Sequence, residues 1–276
     1  MQRLKGRVAA ITGAGSGIGK ALARELAARG CHLALSDIDT ALLAETARDL
    51  SGTGVAISTH EVDVARREHM EAYAEAVMAR HGGVQLLFNN AGVALVERAE
   101  HIPLEDFHWL MDINFWGVVH GCQVFLPLLR AADEGHIVNI SSMFGLIGVP
   151  TQAAYNAAKF AVRGYTEALQ QELEGSSVRA SVVCPGGIRT QIAARARMPD
   201  RSGTIPGRSQ LTQSFERMAR TSAERAAQLI VGGVLKDRRR ILVGPDARLV
   251  GLIVRLLPVR YPALIKRMMP AEGINV

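Results

Sequence analysis

Short, mostly apolar runs alternate along this chain with longer stretches in which apolar positions recur every three or four residues. The runs RVAAIT, HLALSD, GVAISTHEVD, VQLLFNN, HIVNIS, RASVVCP and RILVG predict strands. Between them GIGKALARELAARG, DTALLAETARDLSG, ARREHMEAYAEAVMARHG, LEDFHWLMDINFWGVVHGCQVFLPLLRAA and TQAAYNAAKFAVRGYTEALQQELEG predict helices, the last stopping at Gly175. Several strands are apolar almost throughout, as strands are when helices cover both faces of a parallel sheet. Strand and helix in regular alternation predict a doubly wound α/β sheet with right-handed crossovers. We expect one domain over residues 1–245 and a C-terminal extension over 246–276. Residues 189–222 show no clear periodicity, which inside a compact domain marks a lid or binding loop.

The chain has 276 residues, 48% of them hydrophobic, long enough for one large core. Its net charge of +6 is local: residues 236–276 hold nine Lys and Arg against three Asp and Glu, and the remainder balances. With neither a basic stripe nor interleaved aromatics in the body, nucleic acid is not an expected partner. The cysteines, Cys31, Cys122 and Cys184, fit neither a disulfide framework nor a metal-site spacing, which points to a reducing cytoplasm. The eight histidines are scattered and no metal site is expected. No run approaches the roughly 20 apolar residues of a membrane span. The basic start MQRLKGRVAAITG breaks on Thr12 and Gly13 too soon for a secretory signal.

The extension needs its own account. Between Asp246 and Glu272 it carries five basic residues and no acid, in apolar runs broken by Pro258 and Pro262. Arg248 and Arg255 share a helical face, and Leu249, Leu252, Ile253, Leu256 and Leu257 cover most of the rest. Three fates fit a segment too short to span a bilayer and too apolar for water. It packs on a partner subunit, closes over a cleft, or lies in a membrane interface with its basic groups toward anionic headgroups.

Chemistry enters with TGAGSGIG, residues 12–19, where the first strand runs directly into a helix. Glycine is needed where backbone turns sharply, where a phosphate approaches bare N–H groups, and where helix packs on strand. The glycines Gly13, Gly17 and Gly19 are not spaced as G-x-G-x-x-G, whose third position here is Ile18. Asp37 closes the second strand where an acid accepts from the adenosine ribose hydroxyls and repels a 2′-phosphate. The bland alternative is a helix cap, for which Asp39 is an equal candidate. Tyr155 and Lys159 stand four apart on a predicted helix, so a phenol and an ammonium share one face. An ordinary amphipathic pair would have the same spacing.

The motifs T-G-x-x-x-G-x-G at 12–19, NNAG at 89–92, Asn114 in DINFWG, NISS at 139–142, Y-x-x-x-K at 155–159 and PGGIRT at 185–190 occur in one order. Together they resemble the short-chain dehydrogenase/reductase family over about residues 5–190, and RILVG extends the likeness to about 244. The resemblance implies a seven-stranded sheet in the order 3-2-1-4-5-6-7, a nicotinamide cofactor and alcohol–carbonyl interconversion. It makes Tyr155 the general acid/base, its high phenolic pKa lowered by Lys159 and the positive nicotinamide. Lys159 would also bind the nicotinamide ribose, Ser142 (rather than Ser141) would hold the substrate oxygen, and Asn114 would complete a proton path.

For the cofactor, the resemblance implies a phosphate turn of Gly13, Ser16, Gly17, Ile18 and Gly19, a ribose acid in Asp37, and an adenine contact from Asp63 with Val64. Asn90 would lie near the adenosine ribose with a large structural share, and Pro185, Gly186, Ile188 and Thr190 would meet the nicotinamide. Val93, Met143, Phe144, Leu146, Gln191 and the 189–222 loop would wall a site for a hydrophobic secondary alcohol or ketone. NAD is expected over NADP, because Ser16 stands where NADP-binding relatives often place a base and Ile38 and Asp39 follow Asp37. A homodimer or homotetramer is expected. The alternatives are an NADP(H)-dependent carbonyl reductase and a non-catalytic dinucleotide-binding regulator. The second would be free to lose members of the set Asn114, Ser142, Tyr155 and Lys159, all of which are present.

Overall fold

The strands form where the apolar runs stand. A computed structural model describes residues 3–268 except 202, 204 and 206, so the expected extension's last residues, 269–276, lie outside the described residues. The strands are β1 (Val8–Thr12), β2 (His32–Asp37), β3 (Ile57–Glu61), β4 (Leu86–Asn89), β5 (Gly135–Ile140), β6 (Val178–Pro185) and β7 (Arg240–Val243). They make a seven-stranded parallel sheet in the order β3-β2-β1-β4-β5-β6-β7, as expected.

Alternate residues of each strand serve two cores. Ala9, Ile11, Leu33, Leu35 and Phe88 pack with α1 (Gly17–Ala28), α2 (Thr40–Asp49) and α8 (Ala223–Val234). Val8, Ala10, Ala34 and Leu87 pack on the other face with α3 (Arg67–His81), α5 (Gly117–Ala131) and α6 (Ala153–Glu172). Burial on both faces is why the strands are apolar throughout rather than alternating. At the centre, Asn89 of β4 donates to Asn139 of β5 at 2.8 Å, and Asn139 donates to Thr166 of α6 at 3.0 Å. The chain leaves β1 for β2 on one side and reaches β4 on the other. A crevice therefore opens beyond the carboxyl ends of these two strands.

Three elements depart from the expected pattern. The helix predicted from Leu104 is interrupted: α4 (Leu104–Met111) passes through one π turn, Asp112–Trp116, into α5. The 189–222 segment is not irregular throughout, since it holds α7 (Arg208–Met218) and a short parallel pairing of Ile188–Arg189 with Thr221–Ser222. Its apolar positions are only Leu211, Phe215 and Met218, none of them fully buried, with Leu211 packed on Val96, Ala196 and Ile205, so its stripe is thin among polar neighbours. Helix α8, absent from the predicted set, carries the weak helix formers Ile-Val-Gly-Gly and rests on burial against α1. A Cβ on Gly233 would stand 2.6 Å from the Ile241 side chain, which fixes glycine there.

The extension folds back on the domain as α9 (Pro245–Leu256) and α10 (Tyr261–Met268). Val250, Ile253 and Ile265 bury themselves against Ile147, with Phe144, Val149 and Tyr261 around them. The Tyr261 hydroxyl accepts from the Gly148 amide at 3.1 Å.

Candidate active site

The glycine turn is tied to the residues that follow β4 by the side chains of Thr12 and Asn90. Asn90 donates to the carbonyls of Thr12 and Gly13 at 2.9 and 3.0 Å, and the Thr12 hydroxyl accepts from the Asn90 and Ala91 amides at 3.0 and 3.1 Å. Gly13 (φ +66°) lies so near Ala91 that a Cβ would stand 2.8 Å from its Cα, and a Cβ on Gly19 would strike the Gly13 carbonyl. At Ser16, the N-cap of α1, no side-chain oxygen reaches the first-turn amides. Those N–H groups and the helix dipole face the crevice as an anion site. Gly17 (φ +52°) brings the turn against Thr190, whose methyl would lie 3.2 Å from a Cβ there. Ile18 packs partly into the core beneath.

The two candidate acids after β2 divide the work. Asp39 caps α2, accepting from the Leu42 amide at 3.0 Å. Asp37 instead turns to the glycine loop, accepting from Gly15 at 2.8 Å and from the Asp39 amide at 3.0 Å. A carboxylate has about four acceptor positions, so two remain for ribose hydroxyls. Asp63 accepts from the Ala65 amide at 3.0 Å, and Val64 is buried against Gly117. A bare turn, open amides and an acid at the strand end fit the phosphates and ribose of a dinucleotide.

At the other end of the crevice α6 docks on the end of β5. Ser141 donates to the Lys159 carbonyl at 2.7 Å, while the Lys159 ammonium donates to the Ile140 carbonyl at 3.1 Å. Ser142 faces the other way, accepting from the Phe144 amide at 3.1 Å, with its hydroxyl toward that of Tyr155. Tyr155 is half-buried, its ring edge-on to Phe144 at 6.2 Å, and the Lys159 nitrogen lies 5.6 Å from its centre. Asn114, in the π turn and fully buried, holds Val93 by both main-chain groups at 2.8 Å. This sets Gly92 within 3.5 Å, measured from its Cβ position, of the Lys159 nitrogen. Tyr155, Lys159, Ser142 and Asn114, far apart in sequence, thus surround one spot.

The electrostatics differ from expectation in one respect. Burial pushes the Tyr155 phenol up to about 12, against the smaller opposing influence of the Ser142 hydroxyl. Burial likewise pushes the Lys159 ammonium down to about 8. The two side chains alone therefore do not lower the phenol, because desolvation outweighs an ammonium at that separation.

The wall residues separate. Val93 packs beside Tyr155 and Leu95, Phe144 meets the Tyr155 ring, Met143 is buried and Gln191 is exposed. Leu146 does not line the cleft: it is turned into the core against Val182, Cys184 and Leu242. Sequence patterning also left two residues unmarked. Asn156 donates to the Phe144 and Ile147 carbonyls at 2.7 Å and accepts from Val149 at 3.0 Å, so it anchors the wall to the Tyr155 helix. An asparagine inside a helix, where it is a poor former, was the available signal. Asp246, in the first turn of α9, accepts from the Gly187 amide at 2.5 Å, and its carboxylate lies where a Cβ on Gly186 would be. It holds the turn after β6 that carries Pro185, Ile188 and Thr190.

Comparisons with known proteins agree with this fold. Residues 7–200 match the short chain dehydrogenase family model. The chain belongs to the short-chain dehydrogenase/reductase family, oxidoreductases that act on CH–OH groups with a nicotinamide dinucleotide. It is 46% identical over 270 residues to the Mycobacterium tuberculosis protein named oxidoreductase SadH, covering 96% of each chain. It is 31% identical over 198 residues to the D-beta-hydroxybutyrate dehydrogenase of Cupriavidus necator, covering 70% of this chain and 77% of that one. A Burkholderia phymatum short chain dehydrogenase/reductase, solved in complex with NAD, superposes with a TM-score of 0.84 at 33% identity over 97% of each chain.

Removing the Asp246 carboxylate leaves the buried Gly187 amide without its acceptor, at a cost of about 1–3 kcal/mol. Asp246→Ala is expected to weaken binding of the reduced nicotinamide dinucleotide by at least about fivefold in calorimetric titration. Asp246→Asn, which keeps an acceptor oxygen, should restore most of it. Equal affinity in wild type and Asp246→Ala would remove Asp246 from this role.

Proposed function

We propose that this chain transfers a hydride between NAD(H) and a hydrophobic secondary alcohol or ketone. The observation that carries the cofactor choice is the Asp37 carboxylate, held over the glycine turn with acceptor capacity to spare. The neighbouring base on α1, Lys20, is ion-paired to Glu45 and Asp49 at 2.9 Å, so it offers little to a 2′-phosphate. Ser16, Gly17, Ile18 and Gly19 would hold the pyrophosphate, Asp63 and Val64 the adenine, and Pro185, Gly186, Ile188 and Thr190 the nicotinamide. When bound, the nicotinamide supplies or receives the hydride.

The chain's own residues handle the proton. Ser142, fixed by the Phe144 amide, donates to the substrate oxygen. Tyr155 gives its proton to that oxygen as a ketone is reduced, or takes one from an alcohol. Lys159, tied to Ile140, stands behind the phenol as the positive charge that favours its ionised form once the site is filled. Asn114 keeps Gly92 beside that ammonium by clamping Val93. Val93 and Phe144 offer apolar surface to the substrate, which supports a hydrophobic one. The three free, buried cysteines suit a reducing compartment, and exposed Leu104, Trp116 and Phe160 on α4, the π turn and α6 support a homodimer or homotetramer.

A panel of ketones and secondary alcohols, followed by NADH absorbance, tests the cofactor choice. Wild type should prefer NAD(H), and Asp37→Ala should relax the preference. Equal or better efficiency of wild type with NADP(H) would contradict it. The direction of the reaction should depend on pH. A phenol raised toward 12 is protonated at pH 7, ready to donate but not to accept. Alcohol oxidation should therefore climb from pH 6 to 9 while ketone reduction does not. An oxidation rate flat across that range would oppose Tyr155 as the base.

A further inference from the structure

Helix α9 has two apolar faces, and only one is used. Ala247, Val250 and Ile253 are buried toward the domain. On the opposite side Leu249, Leu252 and Leu256 are 46, 54 and 66% exposed, and Val259, just past the helix end, is 85% exposed. Leu249, Leu252 and Leu256, spaced at i, i+3 and i+7, form one row on the helix, and Val259 follows in the turn beyond it. Arg248 and Arg255 flank it and Arg260 follows, all exposed and with no acidic partner among the described residues. The sequence places no acid between Asp246 and Glu272 to offset them.

Leucines in a row, edged by cations and left in water, call for a partner that is apolar within and negative at its rim. A second copy meets that requirement poorly, because a two-fold contact would set the same arginines against each other. No helix among the described residues is long and apolar enough to cross a membrane. We infer that the Leu249, Leu252 and Leu256 face of α9, with Val259 beyond its end, docks on an anionic phospholipid surface, with Arg248, Arg255 and Arg260 at the headgroups.

The placement has a consequence for the site. The buried side of α9 packs on the 144–149 wall, and Phe144 of that wall meets the Tyr155 ring. A docked α9 therefore holds the cleft wall next to the bilayer, where a lipophilic alcohol or ketone partitions. That use rests on the substrate class proposed above, whereas the docking itself does not.

Co-sedimentation of the full-length protein with vesicles separates the two. The protein should pellet with phosphatidylglycerol–phosphatidylcholine vesicles at low salt, and much less with phosphatidylcholine alone or at high salt. Replacing Arg248, Arg255 and Arg260 together by Ala should lower the partition coefficient about a hundredfold, at about fivefold per arginine. The double variant Leu252→Glu, Leu256→Glu should abolish pelleting. Both residues are exposed, so its melting temperature and NADH affinity should stay at wild-type values, showing that the chain is folded. Wild-type pelleting by that variant, no pelleting by the native protein, or equal pelleting with uncharged vesicles would each overturn the proposal. Loss of a dimer or tetramer on these substitutions, without vesicle binding by wild type, would assign the face to a second copy instead. A protein that pellets as expected yet reduces no ketone in the panel would keep the docking surface and discard only the function proposed for the cleft.

Discussion

The site depends on how closely α6 is bonded to the end of β5. Ser141 reaches the main chain of Lys159, and the side chain of Lys159 reaches the main chain of Ile140. These reciprocal bonds cross between strand and helix in a buried place where an unpaired donor would be costly. Glycine at 145 permits the approach, because a Cβ there would meet the Ser141 hydroxyl and come within 2.6 Å of the Lys159 carbonyl. Given that docking, Tyr155 lies one turn before Lys159 and Ser142 is the first residue to leave the strand on the cleft side. The positions of phenol and hydroxyl follow from main-chain bonds, which hold them without a mobile loop.

The same closeness produces the electrostatics. A buried ammonium and a half-buried phenol are both desolvated, and each is driven toward its neutral form. Such a pair is sensitive to any charge that enters the cleft. At the far end of the crevice Asp37 is the fixed negative group, so the two ends of an elongated ligand meet opposite environments. The turn after β6 completes the enclosure, and Asp246 ties it to α9, linking the extension to one side of the cleft as Phe144 links it to the other.

Much of this was legible in the sequence because it is local. Parallel strands buried on two faces announce themselves as apolar runs, and the sheet order follows the family resemblance. The glycine turn, Asp37 and the Tyr155–Lys159 pair show through spacing within one or two elements. Asp37 and Asp39 were indistinguishable there, since a strand-end acid and a helix cap look alike two residues apart. What stayed hidden depends on distant partners. Asp246 meets a glycine 59 positions away. Leu146 sits two residues after Phe144 but points into the core, because the single turn Met143–Gly145 rotates the chain between them. Helix α7 buries no residue fully, and the π turn at Asn114 leaves no mark on hydrophobic spacing.

We propose that the Tyr155 hydroxyl moves the proton while other residues bind the cofactor. Tyr155→Phe keeps the ring and its edge-on contact with Phe144 and removes only that hydroxyl. Turnover of the best ketone in the panel should fall by at least ~10²–10⁴, with NADH affinity measured by calorimetry unchanged within a few-fold. Turnover above a tenth of wild type with NADH bound normally would contradict the claim.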